Sequence, residues 1–326
     1  MLSKENMEQL IFVGQFVFIF LISLVTVLII LVKPMSRVRR HQMLFVASIL
    51  LPVLSLFFIV RVYPMIQTVV VSLFRYDPIK PVKPFQGLGN YLTLFIEDTQ
   101  FNESIRNTVL FALITVPANI LIGLSLALIL QKKERYSPFF ESIYFIPYIA
   151  PIVPMAIVWQ WIYNPDGVLN QLILRLGGMK VSWLGLSTTL YSIMIMFVWQ
   201  MNGYLMLIFL VGLRGIPDMY YEAASIDGAN WRHKFFSITL PLLRPITLYG
   251  AIVATLWAFM VFSQVFVLTQ GSDVSPGAAV NVLVLDIYQK GFNYRKMGLA
   301  SAEAVLLLFI ILIITLVQLR LGRSKE

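Results

Sequence analysis

Long apolar runs separated by short polar segments organise the whole chain. A bilayer core of roughly 30 Å takes about 20 residues of α-helix to cross, and seven runs reach that length: 10–32, 44–73, 108–130, 139–161, 190–213, 246–268 and 298–319. The second is interrupted by Arg61, Tyr63 and Pro64, so its membrane helix is expected to end near Pro64, with the remainder along the interface. Lys4, Glu5 and Glu8 precede the first run and no small-residue cleavage site follows it, so it reads as a retained helix rather than a secretory signal. The pattern predicts an all-α, polytopic membrane protein with two parts. Residues 1–43 hold an N-terminal transmembrane helix and a basic loop, and residues 44–326 hold six further spans.

Composition agrees. Charged residues make up 13% of the 326 positions, where a soluble domain has about a quarter. There is no cysteine, and the two histidines, His41 and His233, are far apart; disulfides, thiolate metal sites and a histidine metal centre are excluded. The formal charge of +9 has a membrane explanation rather than a nucleic-acid one, because Lys and Arg concentrate in cytoplasmic loops. Lys33, Arg37, Arg39 and Arg40, then Lys132, Lys133 and Arg135, the segment 214–244, and Arg320, Arg323 and Lys325 are the basic connections; the alternate loops mix signs. This puts the N-terminus outside and the C-terminus in the cytoplasm.

Two charges fall inside apolar runs. Arg61 sits near the end of its span, where it can snorkel to water. Glu303 lies among Ala300, Ser301, Ala302 and Ala304, small residues that admit a neighbouring helix; it is a candidate pathway carboxyl or half of a buried pair.

The most patterned polar segment is 215–245. Pro217 suits a first helical position and Asp218 and Glu222 its N-terminal half. Met219 to Ala224 propagate that helix, and Asp227-Gly228 ends it in a left-handed turn. Asn230 caps a second short helix, Trp231 to about Ser237, and Pro241 and Pro245 steer the chain back. The product is a helix–turn–helix knob with aromatic faces suited to insertion into a partner. Glu222-Ala223-Ala224, Gly228, Ile238 and Leu240-Pro241 resemble the EAA loop of bacterial ATP-binding-cassette importer permeases. Asp227-Gly228-Ala229 and Thr239 to Pro245 resemble its carbohydrate-uptake branch. Gly87 to Tyr91, Arg106-Asn107-Thr108, Phe145 to Tyr148, Trp159-Gln160-Trp161 and Asp166 to Asn170 resemble other family segments, in order, over roughly 45–320. The helix at 10–32 lies outside that resemblance.

The resemblance implies a six-helix type I importer core plus one added N-terminal helix, in a bacterial cytoplasmic (inner) membrane. It implies as partners two ATPase subunits carrying ATP and Mg, a second and homologous permease, an extracellular solute-binding protein, and a carbohydrate substrate. ATPase coupling falls to Glu222, Ala223, Ala224, Asp227, Gly228, Trp231, Phe235, Ile238 and Pro241. The chain lacks the G-x-x-x-x-G-K-[ST] phosphate loop, so it binds no cofactor and is no enzyme. Substrate candidates pair hydrogen-bonding groups with aromatic faces: Trp199, Gln200, Asn202 and Tyr204 on one helix, Trp257, Val261 and Gln264 at three-to-four spacing on the next, and Asn119 after Pro117. A glycerol-phosphate or polyol importer is the nearest alternative, and a proton-coupled carrier using Glu303 a remoter one. Lys290, Arg295 and Lys296 would suit an acidic saccharide.

Overall fold

The computed structural model describes residues 37–79, 83–132, 135–269 and 280–322; the run at 10–32 lies outside them. The chain divides into two compact units, Met1–Val71 and Ser72–Glu326.

In the first unit, α1 (Arg37–Phe57) passes through a π-turn (Phe58–Val62) into α2 (Tyr63–Val71). Together they make one apolar helix, His41–Val71. The helix itself runs on through Pro64. Pro64 cannot donate to the ladder, and the Tyr63 N–H bonds instead to the Phe58 carbonyl five residues back, so one wider turn absorbs the defect.

The second unit is helical among its described residues apart from one isolated bridge, Phe74 to Phe85. Its helices are α3 (Gly89–Ile96), α4 (Thr99–Leu130), α5 (Ser137–Ile149), α6 (Ile152–Ile162), α7 (Val168–Arg175) and α8 (Thr189–Arg214). There follow α9 (Asp218–Ile226), α10 (Trp231–Lys234), α11 (Leu240–Leu242), α12 (Arg244–Phe259), α13 (Ser263–Leu268), α14 (Leu283–Tyr288) and α15 (Met297–Gly322). Of the long spans α8 is the most enclosed, with 67% of its apolar window buried against 11% for α15; it is the central post. It takes α4 on one side, where Phe111 meets Phe197 edge-on at 5.0 Å, and α5 on another. Gly203 is required there: a Cβ at that position would lie 2.1 Å from the Tyr144 carbonyl oxygen.

The run at 139–161, expected as one span, is bent by 99° between α5 and α6. Ala150 precedes Pro151 and is extended, with ψ 138°, because the proline ring disfavours helical backbone in the residue before it.

Arg214 at the end of α8 donates to the Leu130 carbonyl at the end of α4 and to Glu141 on α5. Arg244 at the start of α12 donates to the Leu321 carbonyl at the end of α15. These ends, with α9 to α11, form the knob end of the bundle. At the far end, Asn107 on α4 donates to the Asn281 carbonyl, and the Leu283 N–H donates to Thr108.

Candidate functional site

The knob is built from local signals. Pro217 stands before α9 with extended backbone, and Asp218 opens the helix. At its end Gly228 takes φ +75°, the Ala229 N–H bonds to the Ala224 carbonyl at 2.8 Å, and the Gly228 N–H to Ser225 at 3.1 Å. That is the paired closure of a Schellman cap. Asn230 then caps α10 by accepting from the His233 N–H. The second arm is longer than expected: α10 continues through a π-turn (Phe235–Thr239) into α11. Pro241 follows the Leu240 N–H, which bonds to the Phe235 carbonyl five residues back, so the wider turn absorbs its missing N–H as it does at Pro64.

The knob's two faces differ. Tyr221 and Phe235 pack against the core cluster of Leu205, Phe209 and Leu243, and the Tyr221 hydroxyl bonds Thr239 at 3.0 Å. Met219, Trp231 and Phe236 are more than 60% exposed, with the Trp231 ring stacked on Phe235. Glu222 and Ala223 are exposed, and among the described residues Glu222 has no hydrogen bond or ion pair. Ala224, Asp227, Gly228, Ala229, His233 and Ile238 line a cleft of about 380 Å³ at the elbow. A second cleft, about 690 Å³, separates the knob from the ends of α4 and α8. All nine coupling candidates thus lie on one small element; Phe235 anchors it from within, and the others are exposed or line the elbow.

The transport candidates divide into two sets. Gln200, Asn202, Gln264, Val261 and Asn119 are buried. Gln264 donates to Gln200 across α13 and α8 at 3.2 Å, and Asn119 donates to the Thr115 carbonyl of its own helix. Trp199 is 40% exposed and meets Trp159 edge-on, while Tyr204 and Trp257 are half-buried with ring centroids 5.0 Å apart. Tyr148, whose ring meets Tyr204 and Trp257, and Tyr249, whose hydroxyl meets that of Tyr204 at 2.9 Å, join this second set; sequence reasoning placed Tyr148 only within a family segment and passed over Tyr249.

It also passed over the partners of Glu303. Lys290, in a π-turn after α14, donates to Asp286 at 2.6 Å and Glu303 at 2.9 Å and forms an ion pair with Asp98 at 2.9 Å. Asp286 and Glu303 are fully buried, and Lys290 is 2% exposed. Glu303 is therefore one of three carboxylates in a charge cluster that joins α4, α14 and α15. The i,i+4 pair Asp286–Lys290 was the one visible clue to it. Arg295 and Lys296 stand apart, on a cleft with Arg75, Asp77 and Glu97. Among the described residues no group of three or more metal-ligating side chains converges.

A hydrophobic bundle that presents one polar-aromatic knob and bears no catalytic constellation among its described residues defines a membrane subunit that works through partners. Residues 119–326 match the family described as "Binding-protein-dependent transport system inner membrane component". The chain is 36% identical over 279 residues to the probable ABC transporter permease protein YurN of Bacillus subtilis, covering 83% of this chain and 94% of that one. It is 34% identical to the trehalose/maltose transport system permease protein MalF of Thermococcus litoralis, covering 89% and 98%. A solved bacterial ABC transporter involved in the import of the acidic polysaccharide alginate superposes with TM-score 0.74 at 22% identity, covering 89% of this chain and 98% of that one. The chain belongs to the binding-protein-dependent transport family: it is a multi-pass permease subunit of an ABC importer, not an enzyme.

Proposed function

We propose that this permease passes a saccharide, delivered by an extracellular binding protein, through a path beside α8, and that two ATPase subunits binding ATP and Mg drive it through the α9–α11 knob. A homologous second permease completes the path. The knob end is cytoplasmic, which puts the C-terminus inside and the N-terminus outside; the basic residues Lys132, Arg214, Arg232, Lys234 and Arg244 gathered there support that orientation. The names of the relatives support a sugar. The observation that carries the coupling reading is an exposed, unpaired carboxylate beside exposed aromatics on a rigidly capped helix pair. Glu222 pairs with a basic ATPase residue, and Ala223, Ala224 and the elbow admit the partner's surface. Asp227 and Gly228 hold the turn; Trp231, Ile238 and Pro241 supply apolar contact, since aromatic anchors dominate interface energies. In the path, Trp199, Tyr204 and Trp257 meet the sugar. Gln200, Asn202, Gln264, Val261 and Asn119 fix the helices that present them, and the buried Asn202 and Asn119 oxygens that lack partners keep some capacity for polar contact.

The test is co-purification of the tagged chain with its ATPase, wild type against Gly228→Asp. A Cβ at 228 meets nothing within 4 Å, and the strain is in φ alone, so the substitution distorts the elbow and spares the bundle. Loss of the ATPase from the variant is expected. An ATPase retained at wild-type level by the variant refutes the docking role, and no ATPase with either chain refutes the importer assembly.

A further inference from the structure

The charge cluster at the far end of the bundle holds three carboxyls around one ammonium. Asp98 caps α4, Asp286 lies on α14, Lys290 follows it in the π-turn, and Glu303 stands on α15. Asp98 is settled as a carboxylate. Its Oδ1 accepts from the Phe101 N–H and its Oδ2 lies 2.9 Å from Lys290 Nζ. The positive end of the α4 dipole favours its charge, and its side chain is the least buried of the four, at 14% exposed.

Asp286 and Glu303 are in a different position. Both are fully buried. Asp286 Oδ2 and Glu303 Oε2 each accept from Lys290, while Asp286 Oδ1 and Glu303 Oε1 are buried with no hydrogen-bond partner. The two carboxyls lie within hydrogen-bond reach of each other, and the charged groups acting on Glu303 are Asp286 and Lys290. One ammonium balances one negative charge here, not two. Two ionised carboxylates would repel each other, and neither would bring a donor for the orphaned oxygens. A single proton removes both faults, because a neutral carboxyl has an O–H that donates to the carboxylate beside it.

The other titratable groups on the surrounding elements stand away from this pair. Glu97, Tyr294 and Lys296 line a cleft of about 660 Å³, Glu103 and Arg106 on α4 are exposed, and the Tyr288 ring packs among Phe262, Phe266 and Phe292. Asp98 and Lys290 also line the cleft, which gives a proton its route between the pair and solution.

We propose that Asp286 and Glu303 form a proton-binding site, in which one proton shared between their orphaned oxygens, and exchanged through the cleft past Asp98 and Lys290, holds α14 against α15.

Infrared difference spectra of the purified full chain in detergent at pH 7, wild type minus variant, read the proton directly. The band of a protonated carboxyl is expected in wild type and should vanish in both Glu303→Gln and Asp286→Asn, since either amide supplies the missing donor and leaves its neighbour an ordinary carboxylate. A band lost in one variant alone overturns the sharing. A band lost in neither overturns the site, and is the result that a water molecule or a metal cation between the oxygens would give. Thermal unfolding reads the structural role. Unfolded carboxyls, with pKa values of about 4, have released at neutral pH a proton that the folded pair retains, so stability should fall as pH rises from neutral. Glu303→Gln should keep the wild-type midpoint at pH 7 and lose this part of the pH dependence, and Glu303→Leu, which brings no donor, should melt lower than either. Equal pH dependence in wild type and Glu303→Gln, or a Glu303→Gln chain that melts as low as Glu303→Leu, overturns the proposal. Failure of both amide variants to fold overturns it as well, because each amide satisfies the same hydrogen bonds.

Discussion

Replacing Lys290 with Met should cost this protein more than any other single charge removal in the far end of the bundle. The ammonium lies 2.6 to 2.9 Å from three carboxylates, donating to Asp286 and Glu303 and ion-paired with Asp98. The side chains involved are 3% exposed for Lys290, 14% for Asp98 and 0% for Asp286 and Glu303. Met keeps most of the stem volume, so the change is electrostatic rather than a cavity. It leaves the fully buried Asp286 and Glu303 carboxyls facing one another without a counter-charge, and an uncompensated buried charge costs about 3–5 kcal/mol. Asp98 cannot swing away freely, since its oxygen also caps α4 by accepting from the Phe101 N–H. Against a typical stability of about 5–15 kcal/mol, the loss is large. At roughly 2–4 °C per kcal/mol for a unit of this size, the unfolding midpoint should fall by about 6–20 °C. Thermal unfolding of the purified chain in detergent, followed by tryptophan fluorescence, reads this directly. The double variant Lys290→Met with Glu303→Gln should recover part of the drop, because groups in contact couple by about 0.5–3 kcal/mol. A single variant melting within about 2 °C of wild type would refute the cluster as a structural element, and with it the assignment of Glu303 to structure rather than to a transport pathway.

Gly203→Ala should prevent α5 from seating on α8, because the new carbon would sit 2.1 Å from the Tyr144 carbonyl oxygen and 2.9 Å from Phe145 Cα; backbone cannot yield as a side chain can, so the cost is about 3 kcal/mol or more, and wild-type folded yield in detergent would contradict the contact. In the 163–183 connection, the hydrogen bond and charge of Lys180 hold the Asp166 carboxyl below the usual carboxylate range. Such a group stabilises the fold above its unfolded pKa and loses that contribution as pH falls through the lower folded value, but the pair is exposed and screened. Asp166→Asn should therefore leave the unfolding midpoint unchanged at pH 7 in ordinary salt. Asn170→Ala should lower it measurably, since the buried Asn170 amide donates to Pro165 and Val181 and accepts from the Val181 N–H; a larger effect from Asp166→Asn would reverse that ranking.

How much the sequence disclosed depended on whether the determining interactions were local. Apolar length alone marked the long helices among the described residues, though not the bend within 139–161, and the knob followed from caps, proline and glycine within a few residues of one another, so α9, its Schellman closure and the Asn230 cap appear where they were expected. The two prolines show where local reading stops. Tyr63, before Pro64, stays helical at ψ −48°, while Ala150, before Pro151, turns to ψ 138°. The same steric preference is overridden at one site by a π-turn and obeyed at the other, and nothing within either run distinguishes them. The substrate candidates fall on or beside α4, α8, α12 and α13, and their sorting into open aromatics and buried amides depends on which face of each helix meets its neighbours.

Charge gives the sharpest case. Read along the chain, Lys290 is a cation near Arg295 and Lys296, and a row of three cations suggests an acidic ligand. In the fold, it is ion-paired with carboxylates contributed from positions 98, 286 and 303, two of them outside its own turn. A buried charge must be paired where it stands, so the residues that satisfy it are chosen by packing and not by sequence distance.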